Sequence, residues 1–249
     1  MASVGNINQK EFKIKITIYT ISYNEEIMLP KFIGWYRERF PDCKIVVYDN
    51  YSTDNTERIA LDNNCEVIKY DSNCEIRDDL YLEIKNNCWK EAETDWVLIC
   101  DVDELVNINE AQLKAEDKCS VVSFEGWNLI TMSDDPDIID LNLEIGSRAP
   151  QYDKYYLFNK TKIKEINYSA GCHYATTRGV VRLIKHKYLM YHFKAIGLNY
   201  MINRHIEFGK RMSKQNLEKG WGVHYLDSSE TIRNNWKYYQ THPDNKKVL

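Results

Sequence analysis

The sequence runs WVLICDVDE over residues 96–104, and this stretch decides the predicted fold. Its first five residues are the most apolar run of the chain, which predicts a buried strand. The run ends abruptly at Asp101 and Asp103, where a turn of the chain lets both carboxylates converge on one cation. Hard oxygen ligands suit Mg²⁺ or Mn²⁺, and such ions keep positions open for phosphate oxygens. An EF-hand is excluded, because its sixth and twelfth positions would be Val106 and Gln112.

Strand and helix signals alternate through the first half of the chain. Strands are predicted at residues 13–21, 44–48, 65–70 and 96–100, with helices at 24–40, 52–61 and 77–93 between them. This alternation predicts βαβ units, a parallel sheet and loops that share one sheet edge. We therefore predict an α/β fold with a Rossmann-like, mostly parallel sheet flanked by helices.

The second half of the chain is less regular and predicts a mixed C-terminal portion. Short strands are predicted at residues 121–124, 155–158, 180–184 and 188–192, a loop or lid at 133–148, and helices at 198–217 and 231–240. We predict a disordered tail at residues 1–11 and a single domain at residues 12–249.

Composition excludes several classes of protein. With 43% hydrophobic and 12% aromatic residues, the chain is not disordered, a coiled coil or collagen-like. Its net charge of −4 argues against a nucleic-acid binder. No apolar run approaches the roughly 20 residues that span a bilayer, and residues 1–10 lack a signal-peptide core. Seven scattered cysteines without a CxxC pair predict buried, reduced thiols, and hence a cytoplasmic protein.

Two more polar clusters follow the first and second predicted strands, at residues 21–26 and 49–56. Together with the acidic pair they place three polar clusters on one predicted edge of the sheet, where open α/β sheets bind ligands. Helix capping accounts for part of the second cluster, but Asp49 precedes the predicted cap by several residues. A buried carboxylate there could accept a hydrogen bond from a nucleobase.

Four segments of the chain together carry a resemblance to a known family. They are TISYNEE (residues 20–26), YDNYSTDNT (48–56), RDD (77–79) and CDVDE (100–104). In this order and spacing the chain resembles family-2-type glycosyltransferases with the GT-A fold and a DxD motif, over roughly residues 13–125. The resemblance implies a metal-dependent enzyme that moves a sugar from a nucleotide-diphosphate donor, a UDP-sugar, to a hydroxyl acceptor. That acceptor would be a glycan, a lipid-linked molecule or a protein. Residues 12–125 would then bind the nucleotide sugar and residues 126–249 the acceptor.

The resemblance also implies roles for individual residues. The nucleotide pocket would be lined around Thr20, Ser22 and Glu26. Asp49 would bind the base, and Arg77 would stand near the ribose or phosphates, although Asp78 follows it where the family often has Asn. Asp101 would face the ribose or the metal, and Asp103 would bind Mn²⁺ or Mg²⁺ directly. We expect Asp49 and Asp103 at opposite ends of one crevice.

Further site residues are expected in the second half. By resemblance, His192 would be a third metal ligand, and Lys194 would lie near the diphosphate. An inverting enzyme also needs a carboxylate that accepts the proton of the acceptor hydroxyl, for which Glu125 and Asp153 are the candidates. A retaining enzyme would need no such base. The basic, amphipathic segment 199–219 leaves peripheral contact with an anionic membrane open.

Two other functions remain open from the sequence. A sugar-phosphate nucleotidyltransferase can use a similar sheet, but the first strand here is followed by SYNEE at residues 22–26, without the glycine-rich phosphate loop. A non-catalytic module that binds a sugar or a nucleotide is the third possibility.

Overall fold

The computed structural model describes residues 13–249, so the predicted tail at residues 1–11 lies outside the described residues. The first half alternates as predicted: β1 Ile16–Ser22, α1 Leu29–Arg39, β2 Lys44–Asp49, α2 Thr56–Asp62, β3 Glu66–Lys69, α3 Asp78–Asn87 and β4 Trp96–Ile99. Two short elements that the sequence analysis did not predict follow, β5 Glu104–Asn107 and α4 Glu110–Ala115.

The second half contains more strand than predicted. Its elements are β6 Val121–Ile130, β7 Ile145–Arg148, β8 Leu157–Asn159, β9 Ile163–Glu165, β10 Arg178–Gly179, β11 Leu183–Ala195, α5 Leu198–Lys210, α6 Lys214–Lys219, α7 Ser229–Gln240 and β12 Lys246–Lys247. The strands predicted at 180–184 and 188–192 are largely one strand, β11. The predicted loop at 133–148 includes β7, and the predicted helix at 198–217 is divided into α5 and α6.

The first half forms a parallel sheet in the order β3-β2-β1-β4. All four residues of β4 are buried, as are six of the seven in β1, because helices cover both faces of such a sheet. The ends of β1 and β2 are aligned, with Ser22 opposite Asp49. The predicted α/β class and its parallel half are confirmed, and the carboxyl ends of these strands share one edge.

Beyond β4 the sheet is mixed, as predicted. β8 lies antiparallel between β4 and β6, and β11 runs parallel to β6. The other edge of β11 pairs with β5 in antiparallel register, which sets His192 opposite Glu104. This pairing brings the late strand β11 beside the acidic turn that follows β4.

The hydrophobic core is continuous across the two predicted halves. Buried side chains from Ile14 to Ile196 form one cluster, and a smaller cluster joins α5 to α7 around Trp236. Within α1, the indole N–H of Trp35 donates to the carbonyl of Val106 at 2.8 Å, which ties the helix to β5. Among residues 13–249, no helix combines the length and hydrophobicity needed to cross a bilayer. The division into a donor half and an acceptor half stays a prediction.

Candidate active site

A cavity of about 480 Å³ lies at the edge of the sheet where β1 and β4 end. Its lining comes from these strand ends, from β11, from α3 and α5, and from residues 220–225. Five of the residues predicted for the site line it together: Ser22, Asp101, Asp103, His192 and Lys194.

The turn between β4 and β5 presents both aspartates to this cavity. The turn lies between two buried strands, and Glu104, the first residue of β5, is only 2% exposed. The N–H of Glu104 donates to the carbonyl of Asp101 at 3.1 Å. The N–H of Phe193 donates to the carbonyl of Asp103 at 2.8 Å, which attaches the turn to β11. Backbone hydrogen bonds therefore fix the positions of both carboxylates.

Asp103 faces His192 across the cavity wall. Its Oδ2 lies 3.5 Å from His192 Nε2, while His192 Nδ1 lies 2.9 Å from the side-chain oxygen of Asn128. The Asn128 contact orients the ring, so that Nε2 points toward Asp103. The Tyr152 ring, 4.2 Å away between centroids, also supports the imidazole. Burial opposes ionisation of Asp103, but hydrogen bonding to His192 and the nearby cations hold its pKa well below the usual range.

Asp101 and Glu104 are instead paired with lysines that the sequence analysis did not single out. Lys85, 6% exposed, places its Nζ 2.5 Å from Asp101 Oδ1. Lys154 Nζ lies 2.6 Å from one oxygen of Glu104, and the Tyr156 hydroxyl donates to the other. Burial alone would raise the pKa of Asp101. The opposing effect of Lys85 and Lys154 is larger, so the pKa of Asp101 lies below its ordinary value. The charge of Asp101 is therefore already balanced within the protein.

Glu25 is a cavity residue that the sequence analysis missed in favour of Glu26. It is 8% exposed, its Oε1 accepts a 2.7 Å hydrogen bond from Arg204, and its Oε2 has no hydrogen-bond partner among the described residues. Burial raises the pKa of Glu25 to about 7, although Arg204 acts in the opposite direction. Glu26 does not line the cavity and instead accepts hydrogen bonds from Asn55.

Cations balance the acids of this cavity. Arg204, Lys85 and Lys154 are each bound to a carboxylate. Lys194 and Arg211 have no carboxylate within 4.0 Å in the part of the chain that the structure describes. Burial lowers the pKa of Lys194, and the guanidinium of Arg211 stacks 3.4 Å from the Tyr23 ring centroid. These two side chains are the cations of the cavity that an anionic ligand can bind without breaking an ion pair.

Three other residues that were predicted to bind the nucleotide sugar do not line the cavity. Asp49 is fully buried, and its carboxylate accepts hydrogen bonds from Lys69 and from the N–H and hydroxyl of Ser52. The expected crevice thus has Asp103 on its lining but not Asp49. Thr20 is buried, and Arg77 forms a bidentate pair with Asp79, at 2.8 and 2.7 Å. Their predicted roles stay predictions.

Neither candidate base lies on the cavity. Asp153 accepts the N–H of Gly126 at 2.9 Å, and its other oxygen is 2.6 Å from Arg148. Glu125 accepts the indole N–H of Trp127 at 2.8 Å and lies 3.6 Å from the same arginine. Both carboxylates belong to an ion-pair cluster around Arg148 that anchors β7, so the structure does not bring them to the other site residues.

The C-terminal segment considered for membrane contact also helps to enclose the cavity. Tyr200, Met201, His205 and Phe208, all on α5, line it, and Trp221 does so from the turn after α6. Ile206 on the same helix is exposed, so peripheral membrane contact of this segment stays a prediction.

Part of the chain matches a model of a known protein family. Residues 17–116 match the family model described as Glycosyl transferase family 2. The matched part is therefore similar to family-2 glycosyltransferases, and it makes up about two fifths of the chain. The match contains β1 to β5, and so both the acidic turn and the end of β1. It confirms the resemblance to family-2 glycosyltransferases predicted from the sequence.

The chain is also similar to solved structures at low identity. S. aureus TarS 1–349 in complex with UDP-GlcNAc is 15% identical, with a TM-score of 0.46, over 92% of this chain and 74% of that one. Another S. aureus TarS structure is 13% identical, with a TM-score of 0.44, over 93% of this chain. This chain spans only 44% of the length of that TarS chain. Glucosyl-3-phosphoglycerate synthase from Mycobacterium tuberculosis, with Mn²⁺ and UDP, is 16% identical, with a TM-score of 0.33, over 47% and 44% of the two chains. No curated protein matches the chain.

Proposed function

We propose that this protein is a glycosyltransferase that uses a UDP-sugar as donor, requires Mn²⁺ or Mg²⁺, and transfers the sugar to a hydroxyl acceptor. The observation that supports this most is the meeting of Asp103, His192 and Lys194 in one cavity with the end of β1. These residues come from strands far apart in the sequence, and they bring metal-binding and phosphate-binding groups to one place.

The residues of the cavity fit a divalent cation that is shared with a substrate. The Asp103 carboxylate and the Nε2 of His192 face each other, and carboxylate and imidazole are donors that Mn²⁺ accepts. No group of three His, Cys, Asp or Glu side chains within residues 13–249 forms a complete metal site. A site with two protein donors suits Mg²⁺ or Mn²⁺, because donor phosphates and water can complete the coordination. The cation, when bound, would stabilise negative charge on the leaving diphosphate.

The protein side chains have separate tasks in this proposal. Transfer breaks the bond between the sugar C1 and the phosphate oxygen, forms a bond from C1 to the acceptor oxygen, and releases the acceptor proton. Lys194 and Arg211, as cations without a carboxylate partner, would bind the departing diphosphate. Tyr152 and Asn128 would hold the His192 ring in position. Asp49 remains the predicted contact for the base. Its backbone carbonyl accepts a 3.2 Å hydrogen bond from the N–H of Tyr70, which lines the cavity.

The test measures UDP binding by thermal shift with and without Mn²⁺. We expect UDP at about 100 times its Kd to stabilise the protein by about 2.7 kcal/mol, which raises Tm by roughly 5–10 °C when Mn²⁺ is present. Asp103→Asn should lose the Mn²⁺-dependent part of this shift. Asp134→Asn, a substitution of an exposed carboxylate on the 133–148 segment, is the matched control and should keep it.

Activity provides the second measurement. Release of UDP from a panel of UDP-sugars with Mn²⁺ should be lost in Asp103→Asn and retained in Asp134→Asn. An unchanged Mn²⁺ response in Asp103→Asn would refute the metal-binding role, and a preference for another nucleotide would refute the donor class.

A further inference from the structure

A second feature lies on the surface formed by β10 and the start of β11. The run from Arg178 to Lys185 reads RGVVRLIK, and every residue in it except Ile184 is exposed. Its aliphatic side chains are unusually open to solvent: Val180 is 59% exposed, Val181 46% and Leu183 42%. We call residues 178–185 the basic ridge.

The cations of this surface have no side-chain partners in the part of the protein that the structure describes. Arg178, Arg182 and Lys185 of the basic ridge, and Lys164 on the neighbouring strand β9, are all exposed. Within residues 13–249, none of these four side chains forms a hydrogen bond or an ion pair. A chain with a net charge of −4 therefore has three unpaired cations within the eight residues of the basic ridge, beside exposed aliphatic groups. The one acid opposite them in the β9–β10 register, Glu165 across from Arg178, is paired with Lys90.

The basic ridge is held in place by its backbone. The N–H of Val180 donates to the carbonyl of Lys162 at 2.8 Å, and the Ser120 hydroxyl donates to the carbonyl of Val180 at 2.7 Å. Ser120 also exchanges hydrogen bonds with both backbone groups of Arg182. The backbone polar groups are thus satisfied toward the protein, while the valines and cations remain directed to solvent.

We propose that the basic ridge is a docking surface for the anionic face of a lipid bilayer. Basic side chains near such a surface are attracted by its negative potential, and aliphatic side chains gain by entering the headgroup region. A soluble polyanion would neutralise Arg178 and Arg182 but leave Val180 and Val181 in water. The two kinds of side chain together therefore favour a membrane over a polyanion.

The position of the basic ridge connects it to the active site. The chain between β9 and β10 passes the cavity, where Gly171 and His173 belong to the lining, and the next residue, Tyr174, is 75% exposed. Docking would hold this part of the cavity wall near the bilayer. Its consequence for the reaction, access to a lipid-linked acceptor, rests on the proposed function; membrane binding itself does not.

The experiment is co-sedimentation of the full chain with vesicles, without donor or acceptor. Vesicles of phosphatidylcholine mixed with phosphatidylserine are compared with phosphatidylcholine alone, at low and high salt. We expect binding to the anionic vesicles that weakens with salt. Replacing both arginines, Arg178→Gln with Arg182→Gln, should reduce the partition coefficient about 30-fold, since each basic residue contributes about fivefold. Val180→Ser with Val181→Ser should reduce it about tenfold.

The matched control removes two charges from exposed lysines outside the basic ridge. Lys210→Gln with Lys214→Gln changes exposed lysines at the end of α5 and the start of α6, and should bind vesicles as the unmodified protein does. Equal loss in this control, no preference for anionic vesicles, or no binding at all would overturn the proposal. Binding to soluble polyphosphate that is unaffected by the valine substitutions, with no vesicle binding, would assign the cations to a polyanion instead. Because failure here leaves the Mn²⁺-dependent UDP shift unchanged, the two proposals are tested separately.

Discussion

Glu25 gives the sharpest prediction about the electrostatics of the cavity. The carboxylate is nine-tenths buried, one of its oxygens is paired with Arg204, and burial raises its pKa from 4.5 to about 7. Glu25→Gln keeps the shape of the side chain and cannot ionise. The perturbation therefore removes one titrating group from a buried site without opening a cavity.

The size and sign of the effect follow from linkage. Below pH 4.5 the carboxyl is protonated in the folded and unfolded states alike. Between pH 4.5 and about 7 the folded protein holds a proton that the unfolded chain has released, so unmodified protein loses stability as pH rises. A separation of about 2.5 pH units corresponds to about 3 kcal/mol. The free energy of unfolding of Glu25→Gln, relative to the unmodified protein, should thus increase by about 3 kcal/mol between pH 4.5 and pH 8.

Urea denaturation followed by tryptophan fluorescence measures this difference at each pH. Comparing the two proteins at the same pH cancels the titration of every other group, provided that the urea dependence has the same slope in both. Glu26→Gln, one position along at a half-exposed side chain, is the control for loss of a carboxylate that is not buried. A difference between Glu25→Gln and unmodified protein that is constant from pH 4.5 to pH 8 would refute the assigned pKa.

Three further outcomes follow from contacts around the cavity. Lys154→Met leaves Glu104 buried without its cation and should destabilise the fold by about 3–5 kcal/mol in urea, while adding Glu104→Gln should recover most of this loss. Gly126→Ala places a Cβ 2.6 Å from the backbone of Tyr152, so the free energy of unfolding should fall by about 1–3 kcal/mol; an unchanged Tm would contradict this contact. Lys194→Met removes a charge-assisted contact to the proposed diphosphate and should raise the Kd for UDP at least tenfold in calorimetry, with an unchanged Kd as the contrary result.

The parallel half of the fold could be predicted because its strands are continuous apolar runs between helical segments. The later strands could not, because their partners are distant in sequence. β5 has only four residues and pairs with β11, and a bulge between Lys185 and Tyr188 interrupts the pairing of β11 with β6. A local pattern divides β11 into two strands, whereas pairing on both of its edges makes it one.

The same contrast holds for the site. Asp101 and Asp103 could be placed on the cavity because strand ends of a parallel sheet meet at one edge. The choice between Glu25 and Glu26 depends on how a short turn is oriented, and no periodicity distinguishes neighbouring residues in a turn. The lysine partner of Asp101 could not be predicted either, since Lys85 approaches from α3 only after the chain folds.

These ion pairs make the two aspartates of the motif chemically different. Asp101 is bound by Lys85 at 2.5 Å, so a cation placed against Asp101 would compete with a buried ammonium. Asp103 faces His192 Nε2 at 3.5 Å and has no lysine or arginine within 4.0 Å among residues 13–249, so its carboxylate charge remains available to a cation. A sequence motif treats the two positions as equivalent, whereas the surrounding charges favour Asp103 as the ligand of the proposed cation and leave Asp101 paired with Lys85. The electrostatic asymmetry between the two carboxylates, set by Lys85 of α3 and His192 of β11, is what the proposed metal site rests on.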